Sequence, residues 1–260
     1  MPWDARLAEI DAVWRVVSLR ITAFPVPGIE VEPLSSKWLT GDEPEDRRQQ
    51  PKSRSSLEVA NVIIGDRVRS ARIVTTPFQT DLHLDESATS EEPEPAATVK
   101  PELMVASESL AKLRKLAAKW FGSEWPTTRI AFGAVLRKNA YNRREAYLAL
   151  AEYLPFAFDA EETSDLVYQI NRPRPSTVIP DLTLNRLNNW VVLTTHVVQF
   201  SADAMKSSAT EPRIVSTDIQ LTLDISSAAS DVQLEAGTVP SLFDELIDLG
   251  LEIAADGDVP

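Results

Sequence analysis

RIVSTDIQLTLDI, residues 213–225, alternates apolar and polar side chains more cleanly than any other stretch of the chain. Val215, Ile219, Leu221, Leu223 and Ile225 share one face, while Ser216, Asp218, Gln220, Thr222 and Asp224 share the other. Successive side chains of a strand point to opposite sides, so the pattern predicts an antiparallel strand with one buried and one wet face.

Downstream, Pro240-Ser241 opens a helix over 240–254 that buries Leu242, Phe243, Leu246, Ile247 and Ile253. Upstream, the pattern predicts strands at 129–137 (RIAFGAVLR), 165–170 and 189–200. Asn142 followed by Glu145 forms a helix-start box ahead of the stripe Ala146, Tyr147, Leu150, Tyr153 and Leu154, with Pro155 as its stop. In the first half, Val17, Leu19, Ile21 and Ala23 mark a strand over 15–24. Runs 57–64 and 67–75 flank Gly65-Asp66, a two-residue connection suited to a type II′ hairpin because its first position needs a positive φ. Leu110, Leu113, Leu116, Ala117 and Trp120 then define a helix over 107–121, ended by Gly122. Residues 33–56 and the acidic stretch 81–99 read as loops, the second too charged to compact and poorly ordered over 86–98.

Strand runs that precede helices give an α+β fold, mainly antiparallel sheet packed by a few amphipathic helices. The order fits a duplicated strand-strand-strand-helix unit, with halves 1–125 and 126–260 packed as one compact body. The 43% hydrophobic content supplies a sizeable core. A formal charge of -13 disfavours general contact with nucleic acid. The chain has no cysteine, which excludes disulfides and thiol chemistry and fits a cytoplasmic location. The start carries no secretion signal, and the apolar run 190–200 is too short to span a bilayer, so no membrane association is expected.

No phosphate-cradling glycine loop, nucleophile elbow or zinc-ligand helix occurs, and no cofactor, catalytic residue or metal ligand is assigned. The two histidines, His83 in the acidic loop and His196 in a strand, read as structural. Asp244, Asp248 and Glu252, one turn apart on the last helix, read as its solvated face. Charge is segregated: after Arg213 come ten acids and no Lys or Arg, whereas bases gather at 112–119 and 129–144. Opposed patches of this kind serve internal attraction, a protein partner or self-association.

The most distinctive polar segment is 169–190, QINRPRPSTVIPDLTLNRLNNW. It places Asn171, Arg172, Arg174, Asn185, Arg186 and Trp190 along a proline-stiffened path, where arginine forks suit carboxylate or phosphate and Trp190 offers a stacking surface. The same residues also fit a crossover whose polar groups satisfy loop carbonyls.

The strand L-R-I-T-A-F at 19–24, the strand T-R-I-A-F-G at 128–133, and D-I-Q-L-T-L-D-I followed by L-F-D-E-L-I-D-L-G-L-E-I-A resemble a sporadically distributed family of uncharacterised bacterial proteins of about this length. That resemblance implies no settled activity, and the family's patchy distribution associates it with defence systems. Three functions are weighed: a non-enzymatic binding or assembly subunit, favoured; a nucleotide or nucleic-acid contact protein using 169–190; and a metal-dependent hydrolase built on scattered carboxylates.

Overall fold

The computed structural model describes residues 3–29, 31–85, 103–123, 125–197, 200–203, 206–209 and 213–258. The first half runs α1 (Trp3–Val13), β1 (Arg15–Pro25), α2 (Ser36–Thr40), β2 (Asp46–Gln50), β3 (Ser55–Ile64), β4 (Arg67–Thr75), β5 (Thr80–Asp85) and α3 (Ala106–Phe121). The second half runs β6 (Thr127–Ala140), α4 (Arg143–Ala151), β7 (Val167–Asn171), β8 (Arg174–Pro175), β9 (Thr183–Val197), β10 (Phe200–Asp203), β11 (Lys206–Ala209), β12 (Arg213–Ser227) and α5 (Val239–Asp256).

Among the described residues every strand pairing is antiparallel, in keeping with the alternation at 213–225. The large sheet has the order β2-β3-β4-β5-β1-β6-β12-β9-β7, with β8 on β9; β10 and β11 pair separately. The order is mirrored about the β1–β6 seam. Outward from β1 come β5, β4 and β3, and outward from β6 come β12, β9 and β7. In each half the first strand takes the centre, the last lies beside it, and a long helix follows. Each half thus sets four main strands in the large sheet ahead of its long helix, one strand more than the sequence pattern suggested.

The core lies between one face of this sheet and the helices. Ile130, Phe132, Leu136, Ile219, Leu221 and Leu223 line its sheet side, each at most 3% exposed, and meet Leu113, Phe121, Phe243 and Leu246 from α3 and α5. The helix seats so closely that a Cβ on Gly250 would stand 2.8 Å from the Phe132 ring. A second centre stacks Tyr153 on Trp190 at 5.1 Å between centroids and sets Trp14 edge-on to Trp190 at 5.9 Å. Trp14 donates its indole N–H to the Ala254 carbonyl at 2.9 Å, tying α1 to the end of α5.

Several expectations need correction. Residues 33–56 are not one loop: Ser35 caps α2, and β2 adds an edge strand by pairing with β3. Residues 80–85 form β5 rather than the start of a loop, because Leu82 and Leu84 are needed inside while Asp81, His83 and Asp85 stay on the other side. The segment 86–98, expected to be poorly ordered, lies outside the described residues. In β1 an irregularity between Val16 and Ser18 turns Val16 inward and leaves Val17 half-buried. Gly122 does cap α3 as expected, with an ordinary φ of -68 rather than a left-handed one. Strand β9 begins at Thr183, earlier than expected, and takes in Asn185, Arg186 and Asn188.

Candidate functional site

The polar segment 169–190 meets its partners on α5. Glu245, Glu252 and Asp258 stand along that helix and its exit, and each receives donors from the crossover. Ser176 Oγ, Thr177 N and Thr177 Oγ1 donate to Glu245 at 2.5, 2.6 and 2.7 Å. Arg174 and Arg186 reach Glu252 Oε1 at 2.7 and 3.2 Å. Arg172 grips Asp258 with two parallel bonds of 2.7 and 2.9 Å, and the Tyr168 hydroxyl donates to the same carboxylate. A planar guanidinium fork matches a carboxylate in this two-point way.

Burial works to raise the Asp258 carboxyl, but the Arg172 and Tyr168 hydrogen bonds outweigh it and hold the group below its ordinary value. Glu245 is lowered in the same way, its burial offset by the Ser176 and Thr177 donors. Burial, then the Arg174 charge, lowers the Arg186 guanidinium. Arg186 is 1% exposed, and its Nε and Nη1 have no hydrogen-bond partner among the described residues.

The six residues singled out in sequence thus divide. Arg172, Arg174 and Arg186 converge on α5. Asn171 and Asn185 pair with each other at 2.9 Å across β7 and β9, and Asn171 Oδ1 also accepts from the Arg186 backbone N–H. Trp190 is fully buried in the aromatic centre, its indole N–H held by Asn188 Oδ1 at 2.8 Å, so it presents no stacking surface. The segment acts as a clamp that fastens the sheet's outer strands to the C-terminal helix. The acidic face of α5 is spent likewise: Arg114 of α3 reaches Asp244 at 2.9 Å and Asp248 at 3.2 Å.

The surface left open lies on the other side of the sheet. All five helices pack on the face that carries Leu82, Phe132 and Leu223, and among the described residues no helix covers the opposite face. That face bears Leu57, Val59 and Val74 on one wing and Leu187, Val191 and Leu193 on the other, all half-buried. Ile63, Val68 and Val167 at its margins are 65%, 50% and 65% exposed. Between the wings run Arg20, Arg72, His83, Asp85 and Asp224. Arg20 meets Asp224 at 3.5 Å, and Arg72 meets Asp85 at 3.4 Å. Burial, then the Arg72 charge, lowers the His83 imidazole.

At the carboxyl end of β1 the sheet runs into two adjoining cavities of about 360 and 630 Å³, which share Gly28, Ile29 and Pro77. Phe78, 81% exposed, stands on the wall of the smaller one, where the Arg129 guanidinium lies 4.7 Å from the Phe24 ring centroid. His196 lines a separate cavity of about 660 Å³ with Tyr141 and Arg143. Among the described residues no three His, Asp or Glu side chains gather as a metal-binding group.

Comparison with family models, curated proteins and solved structures gave no match.

Two features of the fold escaped sequence reading. The polar partners of the 213–225 alternation were visible, but their neighbours Arg20, Arg72 and His83 come from strands distant in sequence. Helix α1 was also missed, although Trp3, Leu7, Ile10 and Trp14 stand four, three and four residues apart, the spacing of one helical stripe.

Proposed function

We propose that this chain is a non-enzymatic binding or assembly subunit that works through the open face of its sheet. The supporting observation is the one-sided covering: five helices pack on one face, and the other carries apolar wings around a balanced polar centre. A partner that covers those wings removes apolar area from water at about 25 cal/mol per Å². Exposed apolar residues such as Ile63, Val68 and Val167 gathered beside polar ones are a feature of interaction surfaces. The polar segment 169–190 serves this reading indirectly, by holding β7 and β9 rigid against α5. Its arginines engage Glu252 and Asp258, which speaks against their use on phosphate. Cysteine-free composition supports a place in the cytoplasm, and the family resemblance supports work in a defence assembly; both belong to the proposal.

The test is affinity purification of the tagged chain from its own cells beside a variant carrying Val59→Lys and Val191→Lys. A protein retained in stoichiometric amount by the parent and lost from the variant, with unchanged circular dichroism, is the expected result. Identical retention by both would remove the open face from any binding role.

A further inference from the structure

We propose that the open face receives a second copy of this chain, in a two-fold sandwich that lays β1 of each copy over β6 of the other. This rests on reading the chain as a binding subunit, and it names the partner.

Backbone pairing aligns one row of open-face residues across eight strands. In the first half the row reads Val59, Arg72, His83 and Arg20. In the second half it continues Gly133, Asp224, Leu187 and Asn171. The row is thus basic on one side of the β1–β6 seam and acidic on the other. Turning a second copy by 180° about an axis along that seam exchanges the halves and keeps each residue at its height on the strands. β5 then lies over the partner copy's β12, β4 over β9, and β3 over β7. Asp224 comes to face His83, with Arg72 and Arg20 on either side of it in the row. Because the interface is isologous, the contact forms twice.

The apolar wings follow the same operation. Ile63 and Val68 pair with each other four residues along their strands from Val59 and Arg72. Val167 and Val191 pair four residues along theirs from Asn171 and Leu187, on the same side of the row. The rotation places Val68 on Val191 and Ile63 on Val167, which covers the three exposed apolar residues at the margins of the face. Asn61 and Ser70 meet Gln169 and Asn189, amides and hydroxyls that can bond one another. Asp85 falls opposite Thr222, so its charge meets no like charge.

Net charge points to the same face. Two chains of -13 repel, yet from β3 to β7 the open face carries Arg15, Arg20, Arg72, Arg129, Arg137 and Arg213 against Asp81, Asp85, Asp218 and Asp224. The excess of acid therefore lies elsewhere, and the open face is where two copies approach at least electrostatic cost. Sheets packed face to face sit about 10 Å apart.

Sedimentation equilibrium of the full chain tests the proposal. A species of twice 28.8 kDa is expected, with dissociation constant raised about tenfold by Val68→Asp or by Asp224→Arg. His83→Asp alone should weaken the dimer by placing acid against acid, and the His83→Asp/Asp224→Arg double variant should recover it. Circular dichroism melting of each variant confirms the fold. A monomer at every concentration, or a dimer indifferent to all four variants, overturns the proposal. If the chain is monomeric but still loses a different stoichiometric protein on Val59→Lys/Val191→Lys substitution, only the second copy is refuted. If that pair of substitutions also releases nothing, the reading of the open face as a binding surface falls with it.

Discussion

Asp258 carries more of the fold than its place near the chain end suggests. Its side chain is 1% exposed and accepts from Arg172 twice and from Tyr168 once. Asp258→Ala removes these acceptors but leaves Arg172 with access to water, so the expected loss is about 2 kcal/mol in urea unfolding rather than the full cost of stranding a buried charge. The sign of the pH effect follows from the direction of the shift. Asp258 and Glu245 are lowered from ordinary values of 3.8 and 4.5, so their stabilisation is complete above those values. It drains away as pH falls through the lower folded-state values. Asp248 runs the other way, raised by burial despite Arg114, but its side chain stays 54% exposed and water screens the effect. Thermal melts should therefore show Asp258→Asn flattening the acid limb below about pH 4.

At the scale of elements, the β3–β4 hairpin shows how a local rule and a distant contact combine. Gly65 has φ +63 and Asp66 is not among the positive-φ residues, which matches the type II′ expectation. A Cβ at Gly65 would also stand 2.2 Å from the Glu108 carboxylate at the start of α3. Gly65→Ala is expected to cost about 1–2 kcal/mol. Adding Glu108→Ala should return only the part due to the clash, and the remainder measures the backbone strain. Chevron or equilibrium denaturation of the two variants separates them. Helix α1 makes a second case. Its link to the rest of the core runs through Trp14, 1% exposed, packed against Tyr153 and Trp190 and bonded to Ala254. Trp14→Ala should cost about 3–5 kcal/mol, read as a shifted urea midpoint.

Across the whole molecule, the halves meet along ten paired positions of β1 and β6 and through the contact of α3 with α5. The core is continuous across that seam, with Phe121 edge-on to Phe243 at 5.8 Å and Phe243 edge-on to Phe132 at 6.2 Å. Neither half can lose its packing without exposing the other, so unfolding followed by far-ultraviolet dichroism and by tryptophan fluorescence should give one coincident transition. Two separated midpoints would show that the halves melt independently. Amide exchange should be slowest in β1, β6 and β12, which are flanked by strands on both sides, and fastest in the edge strands β2 and β7.

Much of this arrangement was written in local pattern. The alternation at 213–225, the glycine-first connection at 65–66, the Asn142 box and the apolar stripes of α3 and α5 depend on neighbours two to seven residues away, so the sequence determines them directly. Acid and base were also visible as segregated blocks. Their pairing was not, because Arg172 finds Asp258 and Arg114 finds Asp244 across intervals that no periodicity encodes. Strand β5 and the polar start of β9 read as loop for the same reason. Asp81, His83, Asn185 and Arg186 suit a strand only when a neighbouring strand or helix satisfies them. Tertiary structure alone decided that the helices would gather on one face, that Trp190 would be buried, and that one row of residues from eight strands would set Arg72, His83 and Arg20 on one side of the seam and Asp224 on the other. Local sequence sets which side chains share a face, but only the order of strands in the sheet sets which faces meet.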